Sequence, residues 1–196
     1  NFADGNNLGK DAKPTAITAN PGTYKIDYSI YVDGGSGGWS GGELVKTFST
    51  ASSNQKRHVI AFWIKPYLIN NGAQVIGAAA SAYDRIKHYT PGYLEYNLNS
   101  TSSNNQSIRS GAVLRDSSAW MHVIVSYDTT QASGNRINFY YNGIENTDKG
   151  TGASTGEPPA DLTSALLHNF GGECNIFEVG ALESYIADFI ALDGQS

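Results

Sequence analysis

A hairpin written between Trp120 and Gly143 limits what this chain can fold into. Residues 120–127 (WMHVIVSY) and 136–141 (RINFYY) are strand-length runs of β-branched and aromatic residues, joined by the polar stretch DTTQASGN. Asn142-Gly143 follows at once, and Asn-Gly is the dipeptide that suits the positive backbone angles of a type I′ turn. The passage therefore predicts at least three consecutive antiparallel strands.

Other segments repeat the pattern. Tyr24, Ile26, Tyr28, Ile30 and Val32 alternate with Lys25, Asp27, Ser29 and Tyr31, the period of a half-buried strand. Residues 44–48 form a short strand candidate, and residues 58–65 (HVIAFWIK) read as a strand buried on both faces that stops at Pro66. Residues 74–79 and 93–98 add two more, while residues 185–192 (YIADFIAL) fit either a strand or a short helix. Trp63 and Trp120 are expected in the core. Polar stretches separate these runs, notably residues 33–42 (DGGSGGWSGG), where glycine opens conformations closed to other residues. Many short strands between turns predict an all-β fold, a two-sheet antiparallel jelly-roll sandwich over residues 24–196. Residues 1–23 are polar, carry Pro14 and Pro21 and show no periodicity, so they are expected to form an extended N-terminal arm.

Composition narrows the function. A formal net charge of −5, without a Lys/Arg cluster, offers no field for a phosphate backbone and argues against nucleic acid. Cys174 is the only cysteine, so neither an intramolecular disulfide nor a cysteine zinc site can close within one chain. No apolar run approaches the roughly 20 residues of a membrane-spanning helix, and no membrane insertion is expected.

The wording of three segments resembles the concanavalin A-like, laminin G-like modules of tailed bacteriophage virion proteins: residues 44–66, residues 114–143 and residues 185–196. The middle segment carries most of it, with a Trp-x-His strand, an Asp-Thr-Thr turn and a Tyr-x-Asn-Gly hairpin in order. The resemblance implies the sandwich. It also implies a structural component on the exterior of a phage particle, such as a capsid decoration or a tail or fibre appendage. Expected partners are other virion proteins, further copies of the chain and a host-surface glycan.

Enzymes share this architecture, so a catalytic site is an alternative to weigh against the residues present. A retaining glycosidase needs two carboxyls about 5–5.5 Å apart, and the Glu-x-Asp-x-x-Glu string of the fold's β-glucanases is missing. Glu178 and Glu183, five apart, would face opposite sides of a regular strand. No Gly-x-Ser-x-Gly elbow occurs, and of the four histidines His122 reads as a packed structural side chain beside Trp120 and Ile124. No catalytic residue is assigned and no enzyme is expected; a polysaccharide depolymerase ranks below a binding protein. For binding a glycan, exposed aromatic rings are the requirement, and Trp39, Tyr83, Tyr89 and Tyr93 are the candidates, with an interface between subunits as the competing role. No cofactor is required. Laminin G-like relatives can bind calcium at the rim, for which Asp33 and Asp128 are the candidate ligands, with Asp84 and Asp161 as further acidic rim residues. An ordinary turn contact is the simpler role for Asp128.

Overall fold

The computed structural model describes residues 26–32, 44–47, 54–69, 73–78, 84–89, 92–99, 105–151, 156–164, 166–167, 173–176 and 182–195. Thirteen strands make up these residues' regular structure, and none of it is helical. In chain order they are β1 (Ile30–Val32), β2 (Leu44–Thr47), β3 (Arg57–Ile69), β4 (Ala73–Ala78), β5 (Arg85–Tyr89), β6 (Tyr93–Asn99) and β7 (Asn105–Ser110). Then follow β8 (Met121–Asp128), β9 (Ile137–Tyr141), β10 (Ile144–Glu145), β11 (Lys149–Thr151), β12 (Glu173–Ile176) and β13 (Leu182–Asp193).

They form two sheets, a six-stranded one in the order β1-β13-β3-β8-β9-β10 and a seven-stranded one in the order β11-β7-β6-β5-β4-β12-β2. Every pairing with a recorded register is antiparallel, including β3 with β8 and β5 with β6. The all-β sandwich expected from the strand pattern is the fold observed.

Alternation decides what lies between the sheets. Ile60, Phe62 and Ile64 of β3, with Val123 and Val125 of β8, are buried, while Val59, Ala61, Trp63, His122 and Ile124 are only half-buried on the opposite face. From the other sheet, Ile86, Leu94, Tyr96, Leu98 and Ile108 enter the same core cluster. Burying a side chain such as Phe62 contributes about 2–3 kcal/mol relative to leaving it in water. The hydroxyl of Tyr141 on β9 donates to Ser110 Oγ on β7 at 2.7 Å, joining the two layers inside the core.

The hairpin reading of residues 136–143 holds in detail. Asn142 and Gly143 both have positive φ, 51° and 80°, as a type I′ turn requires, and β10 pairs back onto β9. Residues 185–192 resolve as strand, within β13.

Other expectations are corrected. The first strand is only Ile30–Val32, because its partner β13 meets it at Ser184–Ile186 alone; residues 26–29 are not strand, and residues 24–25 lie outside the described set. β3 does not stop at Pro66 but continues to Ile69. A register irregularity between Glu183 and Ser184 places Ser184 opposite Pro66 and Glu183 opposite Leu68, which accommodates the missing proline N–H. Nor is β3 buried on both faces: Trp63 lies on the outer side, against the His122 ring at 4.9 Å, and Trp120 is half-buried just before β8. Finally, β5 and β7 are full strands where no strand was expected. The arm at residues 1–23 lies outside the described residues.

Candidate functional site

The outer face of the seven-stranded sheet carries the richest arrangement of polar side chains. On β6 the residues Leu94, Tyr96 and Leu98 point into the core, so Tyr93, Glu95 and Asn97 stand on the other face. Register aligns neighbours from β5 and β7 with them. Lys87, Glu95 and Arg109 form one row across the three strands, and Arg85, Asn97 and Ser107 form the next. Tyr89 is the register partner of Tyr93 one step further along. At typical strand spacing and rise this array covers roughly 10 Å by 13 Å.

These side chains hold one another in place. The Arg109 Nε donates to Glu95 Oε2, Asn97 Nδ2 donates to Glu95 Oε1 at 3.3 Å, and the Arg109 guanidinium lies 4.7 Å from the centre of the Tyr93 ring. Glu95 is fully buried although it points away from the core, so both of its oxygens depend on these neighbours. Burial and the nearby Arg85 charge push the Lys87 ammonium down to about 8, against the pull of Glu95. Asn97 Oδ1 and Ser107 Oγ are buried and have no hydrogen-bond partner among the described residues. An unsatisfied buried polar atom costs about 1–3 kcal/mol, and both of these atoms belong to the array.

A second polar cluster lies inside one end of the sandwich. Tyr96 Oη contacts His58 Nε2 at 2.9 Å and Ser164 Oγ at 3.0 Å, and Ser164 Oγ donates to Asp84 Oδ2 at 3.0 Å. The His58 ring stacks on Tyr127 at 4.8 Å. Tyr127 donates its hydroxyl to the Leu162 carbonyl, and burial, with Asp84 nearby, holds it well above the usual phenol range. A serine, a histidine and an aspartate therefore meet in one buried chain, but Tyr96 separates the serine from the histidine. Its geometry ties residues 162–164 to both sheets rather than pairing a nucleophile with a base.

The sequence candidates divide three ways. Trp39, Tyr83 and Asp33 lie outside the described residues, as does Glu178. Tyr93 stands on the polar face, and Tyr89 is its register partner on the adjacent strand β5; both positions are in strands, not on loops. Asp128 ends β8, and its carboxylate accepts from Arg57 Nε at 3.2 Å, Thr130 Oγ1 at 2.6 Å, the Thr130 N–H at 3.0 Å and Gln131 Nε2 at 2.9 Å. That is the turn contact foreseen for it, strengthened by a cation. Asp161 pairs with Lys56 at 2.8 Å. Among the described residues no three His, Cys, Asp or Glu side chains gather as a metal site.

Residues 40–173 match the family model described as the concanavalin A-like lectin/glucanases superfamily. The chain belongs to this superfamily. Its relatives in fold include the binding domain of botulinum neurotoxin DC in complex with SialylT, at 16% identity and a TM-score of 0.56, covering 87% of this chain and 40% of that one. The SAP-like pentraxin of Limulus polyphemus shares 17% identity at a TM-score of 0.52, over 83% of this chain and 74% of that one. Domains LG4-5 of the mouse laminin alpha1 chain share 12% identity at 0.52, over 78% and 39%. The chain spans about two fifths of the neurotoxin binding domain's length. At such identities the likeness is one of fold. No curated relative matches the chain.

Proposed function

We propose that this superfamily member is a non-catalytic recognition module that takes a saccharide on the outer face of its seven-stranded sheet. The observation that carries the reading is the recessed array around Glu95, in which Asn97 Oδ1 and Ser107 Oγ lack partners beside an aromatic ring and guanidinium and ammonium donors. A sugar offers hydroxyls that both donate and accept, and an apolar C–H face for Tyr93. A solved relative in fold, the botulinum neurotoxin DC binding domain in complex with SialylT, supports the class of ligand by analogy of fold alone. Titration of host-envelope polysaccharide into the chain, with and without a chelator to expose any calcium requirement, tests the reading. Saturable binding lost in Tyr93→Ala supports it, and an absence of binding at millimolar sugar contradicts it.

The setting we propose is the exterior of a phage particle, which rests on the resemblance of residues 44–66, 114–143 and 185–196. Assembly is the second reading, and a separate observation favours it. Among the described residues every exposed large hydrophobic side chain (Tyr28, Ile30, Tyr31, Tyr67, Ile144, Tyr185 and Ile190) lies in or beside the six-stranded sheet. Five strands by seven residues of that face measure roughly 24 Å by 23 Å, so two copies packed face to face would bury about 1,100 Å², near the lower bound of a specific interface. Its centre, at Ala61, Trp63 and Ile124, carries no formal charge and is matched by its own copy. Sedimentation of the chain reads this directly: a dimer supports the interface and a monomer at high concentration contradicts it.

A further inference from the structure

We infer that pairing of this chain through its six-stranded sheet is gated by protonation of His122, the pair holding at neutral pH and separating in mild acid. The inference rests on the assembly reading above and supplies its regulation. Its first support is position. β3 and β8 are the middle two of the six strands, and on their outer face Trp63 is paired with His122 and Ala61 with Ile124, the four corners of one square. Exposed apolar side chains surround it: Tyr185 pairs with Lys65 two residues from Trp63, Ile190 pairs with Ala61, and Ile144 lies on β10 beyond β9. His122 is therefore at the middle of the face and not at its rim.

Symmetry turns that position into a charge relation. Two identical faces pack about a two-fold axis lying in the plane of contact, and each corner of the square stands half a strand spacing and half a two-residue repeat from its centre, about 4 Å. An axis over the centre carries His122 to within about 8 Å of its own copy, measured across the face, whichever way the axis points. The ring is half-buried against Trp63 at 4.9 Å in the single chain, and a covering partner takes it further out of water. Two imidazolium ions so placed repel in a layer that water and salt screen poorly, whereas two neutral rings pack. From β3, His122 faces Trp63, with Lys65 one row away. From β9 and its turn it meets Asn142, whose Oδ1 accepts the His122 N–H, and Tyr140 beside Glu145. From β13 it meets the charge of Asp188. Among these residue types only histidine ordinarily changes charge between pH 5 and 8. The single chain leans the same way, since burial holds the imidazole below its ordinary range although Asp188 pulls it upward. A pair that lowers it further takes up protons as it separates, so association is strongest above about 6.5 and weakens as pH falls below it.

The test is sedimentation equilibrium of the intact chain at about pH 7.5 and about pH 5, either side of the histidine range, with circular dichroism at each to separate dissociation from acid unfolding. The dimer constant should weaken at least about ten-fold in acid, the equivalent of one pKa unit shared over two histidines. His122→Gln should dimerise with less than about two-fold change between the two conditions. His122→Arg carries the charge permanently and should be monomeric at neutral pH, where acid plays no part. An equally tight unsubstituted dimer in both conditions, a His122→Gln dimer as acid-sensitive as the parent, or a dimeric His122→Arg would overturn the switch and leave assembly through this face standing. Tighter association in acid would also overturn it, setting each His122 beside a carboxylate of its partner. A chain monomeric throughout would overturn the assembly reading and the switch together.

Discussion

Arg109 lies with its guanidinium 4.7 Å from the Tyr93 ring centre while its Nε meets the Glu95 carboxylate, so one side chain links the aromatic and the acidic members of the outer polar face. The pair is unequal. Arg109 retains 27% side-chain exposure and Glu95 none.

That inequality predicts unequal variants. Arg109→Met should strand a buried carboxylate and cost about 3 kcal/mol, whereas Glu95→Gln leaves a cation that water can reach and should cost roughly 1 kcal/mol. Urea unfolding of the two variants measures the difference, and equal losses would contradict the described burial.

His88 predicts acid lability. Its ring points to the core side of β5 and is fully buried, and burial pushes it down to about 4, the Gly92 backbone pulling weakly the other way. An unfolded chain takes up this proton near 6.5, whereas the folded chain resists until about 4. Stability from this group is therefore complete above about 6.5 and declines as pH falls toward 4, by about 3 kcal/mol in all. In His88→Leu that step should vanish from the pH profile of the unfolding free energy.

The buried polar chain predicts a structural loss without a functional one. Tyr96→Phe removes the hydroxyl shared by His58 and Ser164 and should cost about 1–3 kcal/mol. Saccharide affinity, measured by titration well below the melting point, should stay within about two-fold, since the ring lies on the core side of β6.

At the β9–β10 turn, Gly143 sits at φ 80°. Gly143→Ala should destabilise by about 1–2 kcal/mol through the left-handed backbone penalty, read as a lower thermal midpoint.

Legibility followed residue chemistry. The runs HVIAFWIK and WMHVIVSY were readable as strands because β-branched and aromatic residues fill both faces. The same density misled on Trp63, whose hydrophobicity suggested core although it stands on an outer face that is itself apolar. β5 carries little strand signal because Arg85 and Lys87 occupy outer positions and His88 one of its two inner ones, which leaves Ile86 as its lone strongly apolar core residue. Tyr89 and Tyr93 stand out in the sequence as single aromatics, but Glu95, Asn97, Ser107 and Arg109 do not, since the register that aligns three strands is invisible in one dimension. The alternation of Leu94, Tyr96 and Leu98 against Tyr93, Glu95 and Asn97 was the available signal for a polar outer face.

The central claim is tested most directly by mapping amide chemical-shift changes in isotope-labelled chain during titration with oligosaccharides of the host-envelope polysaccharide. The account predicts perturbations concentrated at Arg85, Lys87, Tyr93, Asn97, Ser107 and Arg109. Perturbations confined to the six-stranded sheet or to the loops at the sandwich ends would contradict it.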